Sequence, residues 1–191
     1  MMHPFEVQCC PVNDFQAVST CPDGIEAAFR WQKPGKIELN RNKAYLHWRI
    51  DRNEAKTFRY LFSDNRDGFS WYAIVGFGDH RLGIRVGDVI DFGTSDDAGD
   101  SFRTAMKASV RALLQEGCDI VSISLPVGNT NRVALLRTLG FRRLWRYYRL
   151  IQKRSATPLW LTVKKLNPAG RQFDPCDPER WNLTKLYFDE V

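Results

Sequence analysis

"SFRTAMKASVRALLQEGCDIVSISLPV", residues 101–127, changes its hydrophobic period once, and that change decides the fold. Over the first fifteen residues Phe102, Ala105, Met106, Ser109, Val110, Leu113 and Leu114 recur at spacings of three and four, while Arg103, Lys107, Arg111 and Gln115 take the opposite face. This is an amphipathic helix of about four turns. Gly117 suits its C-terminal stop. The continuous, β-branched "DIVSISLPV" (119–127) then reads as a core strand.

Working upstream, "TFRYLFS" (57–63), "FSWYAIVGFG" (69–78) and "LGIRVGDVIDFGT" (82–94) read as strands separated by the turn residues "DNRDG" and "DHR". Together they make an antiparallel meander. Gly83 and Gly87 in the third of them predict a bulge or a close backbone approach. The long helix joins the third strand to the next by a crossover, which places those two strands parallel. Downstream, "NTNRVALLRTLGF" (129–141) reads as a short helix capped by Asn129 or Thr130 and closed by Gly140, followed by strands at 144–153 and 158–166. The expected class is α/β (α+β), a mixed and mostly antiparallel sheet of six to seven strands flanked by helices. Three segments are expected: an N-terminal extension over 1–40 with a short helix near 24–31, a core over 41–154, and a turn-rich C-terminal piece over 155–191.

The composition excludes several classes. At 191 residues, 43% hydrophobic and 26% charged, the chain has the balance of a globular protein with one sizeable core. No apolar run approaches the roughly 20 residues of a membrane-spanning helix, so no membrane insertion is expected. "MMHPFEVQCCPVND" lacks a basic segment followed by an apolar one, so no secretory signal is expected and the cytoplasm is the default location. Five cysteines without framework spacing read as reduced thiols, and Cys9, Cys10, Cys21 and His3 lack the C-x-x-C pair of a zinc site, so no metal is expected. A net charge of +6 admits anionic partners. The basic concentration at 137–154 argues little for nucleic acid, because alternation on a strand splits its arginines between two faces.

The order of elements, together with the asparagine-led helix closed by Leu139, Gly140 and Phe141, resembles the GNAT superfamily of N-acetyltransferases over about residues 45–153. "YLHWRI" (45–50) resembles a segment of a GNAT-like subgroup linked to bacterial polysaccharide and peptide modification. The resemblance implies an acyl-CoA-dependent N-acyltransferase, using acetyl-CoA or another acyl-CoA and acting on a small-molecule amine. It also implies a homodimer or a partner GNAT domain as an arrangement. The loop after the third strand would offer main-chain amides to the pyrophosphate at the start of the long helix, where N–H groups and the macrodipole favour anions. By that resemblance Phe92, Gly93, Thr94, Gly99, Ser101 and Asn129 would hold the cofactor and Asp91 would act as general base, while Tyr147, or Tyr148 on the same strand, would substitute for the family's general acid.

Two positions depart from the family pattern. The loop pattern falls on Asp97, Asp100 and Phe102 where the family has a basic or amide residue and two glycines. The plainer reading of this loop is an aspartate or serine capping the helix, and carboxylates there repel a pyrophosphate. The tyrosine expected seven residues after Asn129 is Leu136, which has no proton to donate. Each candidate has a plainer reading: Asp91 as a turn or cap residue, Asn129 as a bare cap, Tyr147 as strand packing. His47 and His80 are further candidates for the base, and Cys118 reads as a small buried hydrophobe. The alternative to an enzyme is a GNAT-like domain without catalysis, serving binding or assembly, or forming half of a two-domain enzyme.

Overall fold

The computed structural model describes residues 15–25, 41–63, 69–78, 83–95, 99–125 and 130–142. Five strands pair in the order of the chain: β1 (Gln16–Val18), β2 (Thr57–Phe62), β3 (Trp71–Phe77), β4 (Val86–Thr94) and β5 (Ile120–Ile123). The first three pairings are antiparallel, and β4 pairs β5 parallel. The meander and the crossover through α2 (Asp100–Gln115) are those the periodicity requires. Five strands are found among the described residues, not six to seven; the expected strands at 144–153 and 158–166 lie outside them. β1 was not legible, because three residues with one half-buried side chain carry no measurable period.

β3 is central and buried at every residue, so its side chains sort onto two faces by the alternation of the pleat. Trp71, Ala73, Val75 and Phe77 join Phe102, Ala105, Met106 and Leu113 of α2 in one core, where Leu135 and Leu136 of α3 (Thr130–Thr138) also sit. Tyr72 and Ile74 face a second core with Tyr60, Ile90, Leu46 and Ile50. That face is covered by α1 (Lys43–Leu46), which continues as one π-helical turn over His47–Asp51. Asn42 caps α1 by accepting from the Tyr45 N–H at 2.8 Å, and Leu46 and Ile50, four apart, point into the sheet.

The buried stripe of α2 follows the sequence reading with one change. Ala108 and Ala112 are buried, while Leu114 is exposed and Val110 only half-buried. The sheet touches one side of the helix, and a methyl group suffices where the approach is closest. Both helices end as expected, Gly117 and Gly140 taking φ of +78° and +89°. Cys118 is buried beside Leu113.

The expected bulge exists, but its position differs. Val75 pairs with Val89 and Ile74 with Asp91, so Ile90 is the additional residue on β4. Gly87 instead meets the other expectation, a close approach: a Cβ there would stand 2.6 Å from Leu113 Cδ2 and 3.0 Å from Cys118 Sγ, so α2 can lie this close only over a glycine.

Candidate functional site

The bulge explains the setting of Asp91. With Ile90 inserted, Ile90 and Asp91 both face the α1 side of the sheet, and the Asp91 carboxylate lies under the start of α1 with no solvent exposure. Arg41, itself 5% exposed at the side chain, reaches it twice: Nη2 donates to Oδ1 at 3.2 Å, and Nε stands 2.9 Å from Oδ2, off the line of a hydrogen bond. The Tyr72 hydroxyl donates to Oδ2 at 3.0 Å. A proton-accepting carboxylate needs an open oxygen facing its substrate. Both oxygens of Asp91 face Arg41 and Tyr72 inside the protein, which is the geometry of a strut tying Arg41 and the entry to α1 onto β4.

Gly93 belongs to the same arrangement. An added Cβ would meet Tyr72 Cε1 at 2.3 Å, so the missing side chain is the space that the Tyr72 ring occupies on its way to Asp91. The sequence pattern assigned Gly93 to the cofactor; the structure provides a packing reason for it.

The other face holds the end of β4 and the start of α2. The ladder between β4 and β5 covers Val86–Val89 against Ile120–Ile123, whereas β4 runs on to Thr94. Six residues later, at Asp100, α2 starts, with Gly99 as its N-cap, a residue with no side chain to cap the helix. The reading of this junction as an aspartate or serine N-cap is therefore replaced by a glycine one. Ser101 Oγ lies 3.1 Å from Ser95 Oγ, which joins the end of the strand to the first turn of the helix. Thr94 is buried and Gly93 half-buried.

Phe92 and Phe102 meet here, ring centroids 5.5 Å apart, and Phe102 has no exposed surface. Arg132, from the first turn of α3, lies with its guanidinium carbon 5.2 Å from each ring centroid and is 8% exposed. Sequence reasoning missed Arg132, because one cation in a short helix is indistinguishable from a solvated one until the helix is docked. Arg41 and Tyr72 were missed for the same reason. Leu136, at the tyrosine position of the family pattern, is a core residue. Asn129, Tyr147, His80 and Asp97 lie outside the described residues.

A third polar group lies under the far end of α1. Asp51 accepts from the Tyr60 hydroxyl at 2.8 Å and from the Cys21 N–H at 3.3 Å, and His47 Nδ1 stands 3.2 Å from the same carboxylate. Burial, and then the hydrogen bond to Asp51, push the Tyr60 hydroxyl far above its ordinary range, so it remains a donor at any ordinary pH. Val18, Tyr60, Ile74 and Asp91 form one row across β1 to β4. The Tyr60 and Asp91 groups are thus two strand spacings apart, roughly 10 Å.

No protein-family model matches the chain, and no curated protein matches it. Among solved structures, TTHA1254 of Thermus thermophilus superposes with a TM-score of 0.46 in a mutant form and 0.45 in the wild type, each at 12% identity over 80% of this chain and 98% of that one. An aminoglycoside N-acetyltransferase, AAC(6')-Iy in complex with CoA, superposes with a TM-score of 0.40 at 15% identity, covering 65% of this chain and 96% of that one. Likenesses of this degree, with TM-scores below 0.5, carry no weight for this chain's chemistry. Among the described residues no helix is long and apolar enough to cross a membrane, and no three histidine, cysteine or acidic side chains are grouped to hold a metal ion.

Proposed function

We propose that the chain is an acyl-CoA-dependent N-acyltransferase acting on an amine, with a cofactor seat built differently from the glycine loop of the GNAT proteins it resembles. The observation that supports this is the junction of β4 and α2. β4 leaves β5 after Val89, continues to Thr94 and leads to a sixteen-residue helix capped by glycine. The N-terminus of such a helix attracts a pyrophosphate through its amides and dipole. Arg132, on the Phe102 ring of the first helical turn, adds a guanidinium suited to phosphate oxygens. By this reading Phe92, Thr94, Gly99, Ser101 and Arg132 hold the cofactor, whose thioester supplies the acyl group to the amine. Asp91 and Gly93 hold β4 in shape from the other face.

A second reading is favoured by the same contacts. Phe92, Phe102 and Arg132 pack on one another where the family pattern has glycines, and Asp91 is engaged by Arg41 and Tyr72. A GNAT-like binding or assembly domain without catalysis has this character. Calorimetric titration with CoA, paired with thermal unfolding, separates the two. The acyltransferase reading requires saturable heat and a rise in stability, about 2.7 kcal/mol at a hundredfold excess over Kd. It also requires Arg132→Ala to weaken binding by roughly tenfold or more, since a hydrogen bond to a charged group contributes about 1.5–3 kcal/mol. No heat and no shift at millimolar CoA leave the second reading.

A further inference from the structure

We infer that Lys56 is an acylation site of the chain itself: its amine takes the acyl group from the thioester, and Asp88 accepts the proton. The inference rests on the acyl-transfer reading and adds to it an acceptor that belongs to the protein. Phe58, Gly76 and Asp88 share a row across β2 to β4, and Phe58 faces the α1 side of the sheet, so Asp88 faces that side as well. Lys56, immediately before β2, reaches Asp88 from across β3. Gly78 lies against its stem, where an added Cβ would touch Lys56 Cγ at 3.9 Å. Lys56 Nζ stands 3.8 Å from Asp88 Oδ2, while the Ser122 hydroxyl donates to Oδ1 and so orients the carboxylate.

This pair lies beside the opening in the sheet. Val89 with Ile123 is the last rung between β4 and β5, one residue, or about 3.3 Å, beyond Asp88. By the acyl-transfer reading the thioester lies where the two strands part, within reach of the flexible Lys56 stem. Val86 and Ile120, the next row on the same face, are exposed and give an acyl methyl group apolar neighbours.

One proton of the Lys56 ammonium passes to Asp88, directly or through water. The neutral Nζ attacks the thioester carbonyl carbon, the C–N bond forms as the C–S bond breaks, and a second proton from the nitrogen goes to the departing thiolate. The products are an ε-amide, free CoA and a proton that Asp88 returns to solvent. The modified chain loses the positive charge that faced Asp88.

Indiscriminate acylation would choose a different lysine. The Lys56 side chain is 25% exposed and that of Lys43 is 54% exposed, and each is paired with an aspartate. The test incubates the full chain with acetyl-CoA and follows acetylation at both positions by peptide mass spectrometry, native and in urea, beside the calorimetric titration with CoA. The expected result is that Lys56 is acetylated faster than Lys43 in the native chain and that urea abolishes the preference. Asp88→Asn, which keeps an acceptor for Ser122, should slow Lys56 about a hundredfold, as loss of a positioned base does, and leave Lys43 unaltered with circular dichroism unchanged. Native acetylation of Lys43 as fast as that of Lys56, or an unaltered Lys56 rate in folded Asp88→Asn, overturns the inference. If CoA gives heat and Lys56 is not preferred, this inference alone falls; if CoA gives no heat, the acyl-transfer reading falls with it.

Discussion

Asp91 shows how little a residue type reveals without its surroundings. At the end of a strand near a helix start, an aspartate suits a general base; beneath α1, between Arg41 and Tyr72, it is a buried ion pair. Removing one partner leaves the other charge without compensation in the interior. Arg41→Met should therefore cost about 3–5 kcal/mol in urea unfolding, and Arg41→Met with Asp91→Leu should cost less than Arg41→Met alone. A double variant as unstable as the sum of its parts would contradict that account. Gly93→Ala is a second residue-scale case: its methyl would stand 2.3 Å from the Tyr72 ring, and the strain should cost about 1–3 kcal/mol by the same measurement. Tyr60 and Cys118 govern the alkaline side. Burial raises Tyr60 above 10.0 and Cys118 above 9.0, so the native state holds both protons more tightly than the unfolded chain. Their contribution is complete below pH 9 and lost as pH rises, through 9 for the unfolded Cys118 and 10 for the unfolded Tyr60. Unfolding free energy measured from pH 8 to 11 should fall, and Tyr60→Phe should flatten the part above pH 10.

Among the elements, α1 and α2 are attached to the sheet by different physics. α2 packs by its apolar stripe, with Gly87 admitting Leu113 and Cys118 against β4. α1 is too short to be stable alone. It is held by Leu46 and Ile50 and by a polar group at each end, Arg41 on Asp91 and Asp51 on Tyr60. The first turn of α2 combines a packing role with the proposed cofactor seat. Phe102→Gly would supply the glycine of the family pattern while removing a fully buried ring, so a stability loss of at least about 3–5 kcal/mol is expected. If the seat admits CoA by its main chain, affinity measured under native conditions should nevertheless be maintained or rise. Loss of binding without loss of fold would assign the Phe102 ring itself to the seat.

At the scale of the whole molecule, the described residues form one sheet with a core on each face, and β3 belongs to both. Its amides lie between two antiparallel neighbours and under side chains buried at all seven positions. Native-state hydrogen exchange should therefore be slowest in β3, intermediate in β2 and β4, and fastest in the three-residue edge strand β1. Faster exchange in β3 than in β1 would refute this two-core architecture. At this scale several of the positive charges are already engaged: Arg41, Lys43 and Arg59 are each paired with an acidic side chain, and Arg85 lies over the Phe77 ring.

The meander, the parallel crossover, the extent of α2 and both glycine stops were legible in the sequence, because each depends on interactions a few residues apart: alternation along a strand, recurrence every three or four residues, positive φ after a helix. The site was legible only as a place. That β4 would lead to α2 at residues 94–100 follows from the order of elements. That the base candidate would be tied to Arg41, fifty residues away, and that Arg132 would lie on Phe92 and Phe102, are properties of contacts between distant segments. A cation, a ring and a carboxylate have no period, and the energy that sets their roles, burial together with the nearest opposite charge, does not exist until the sheet and helices have closed around them.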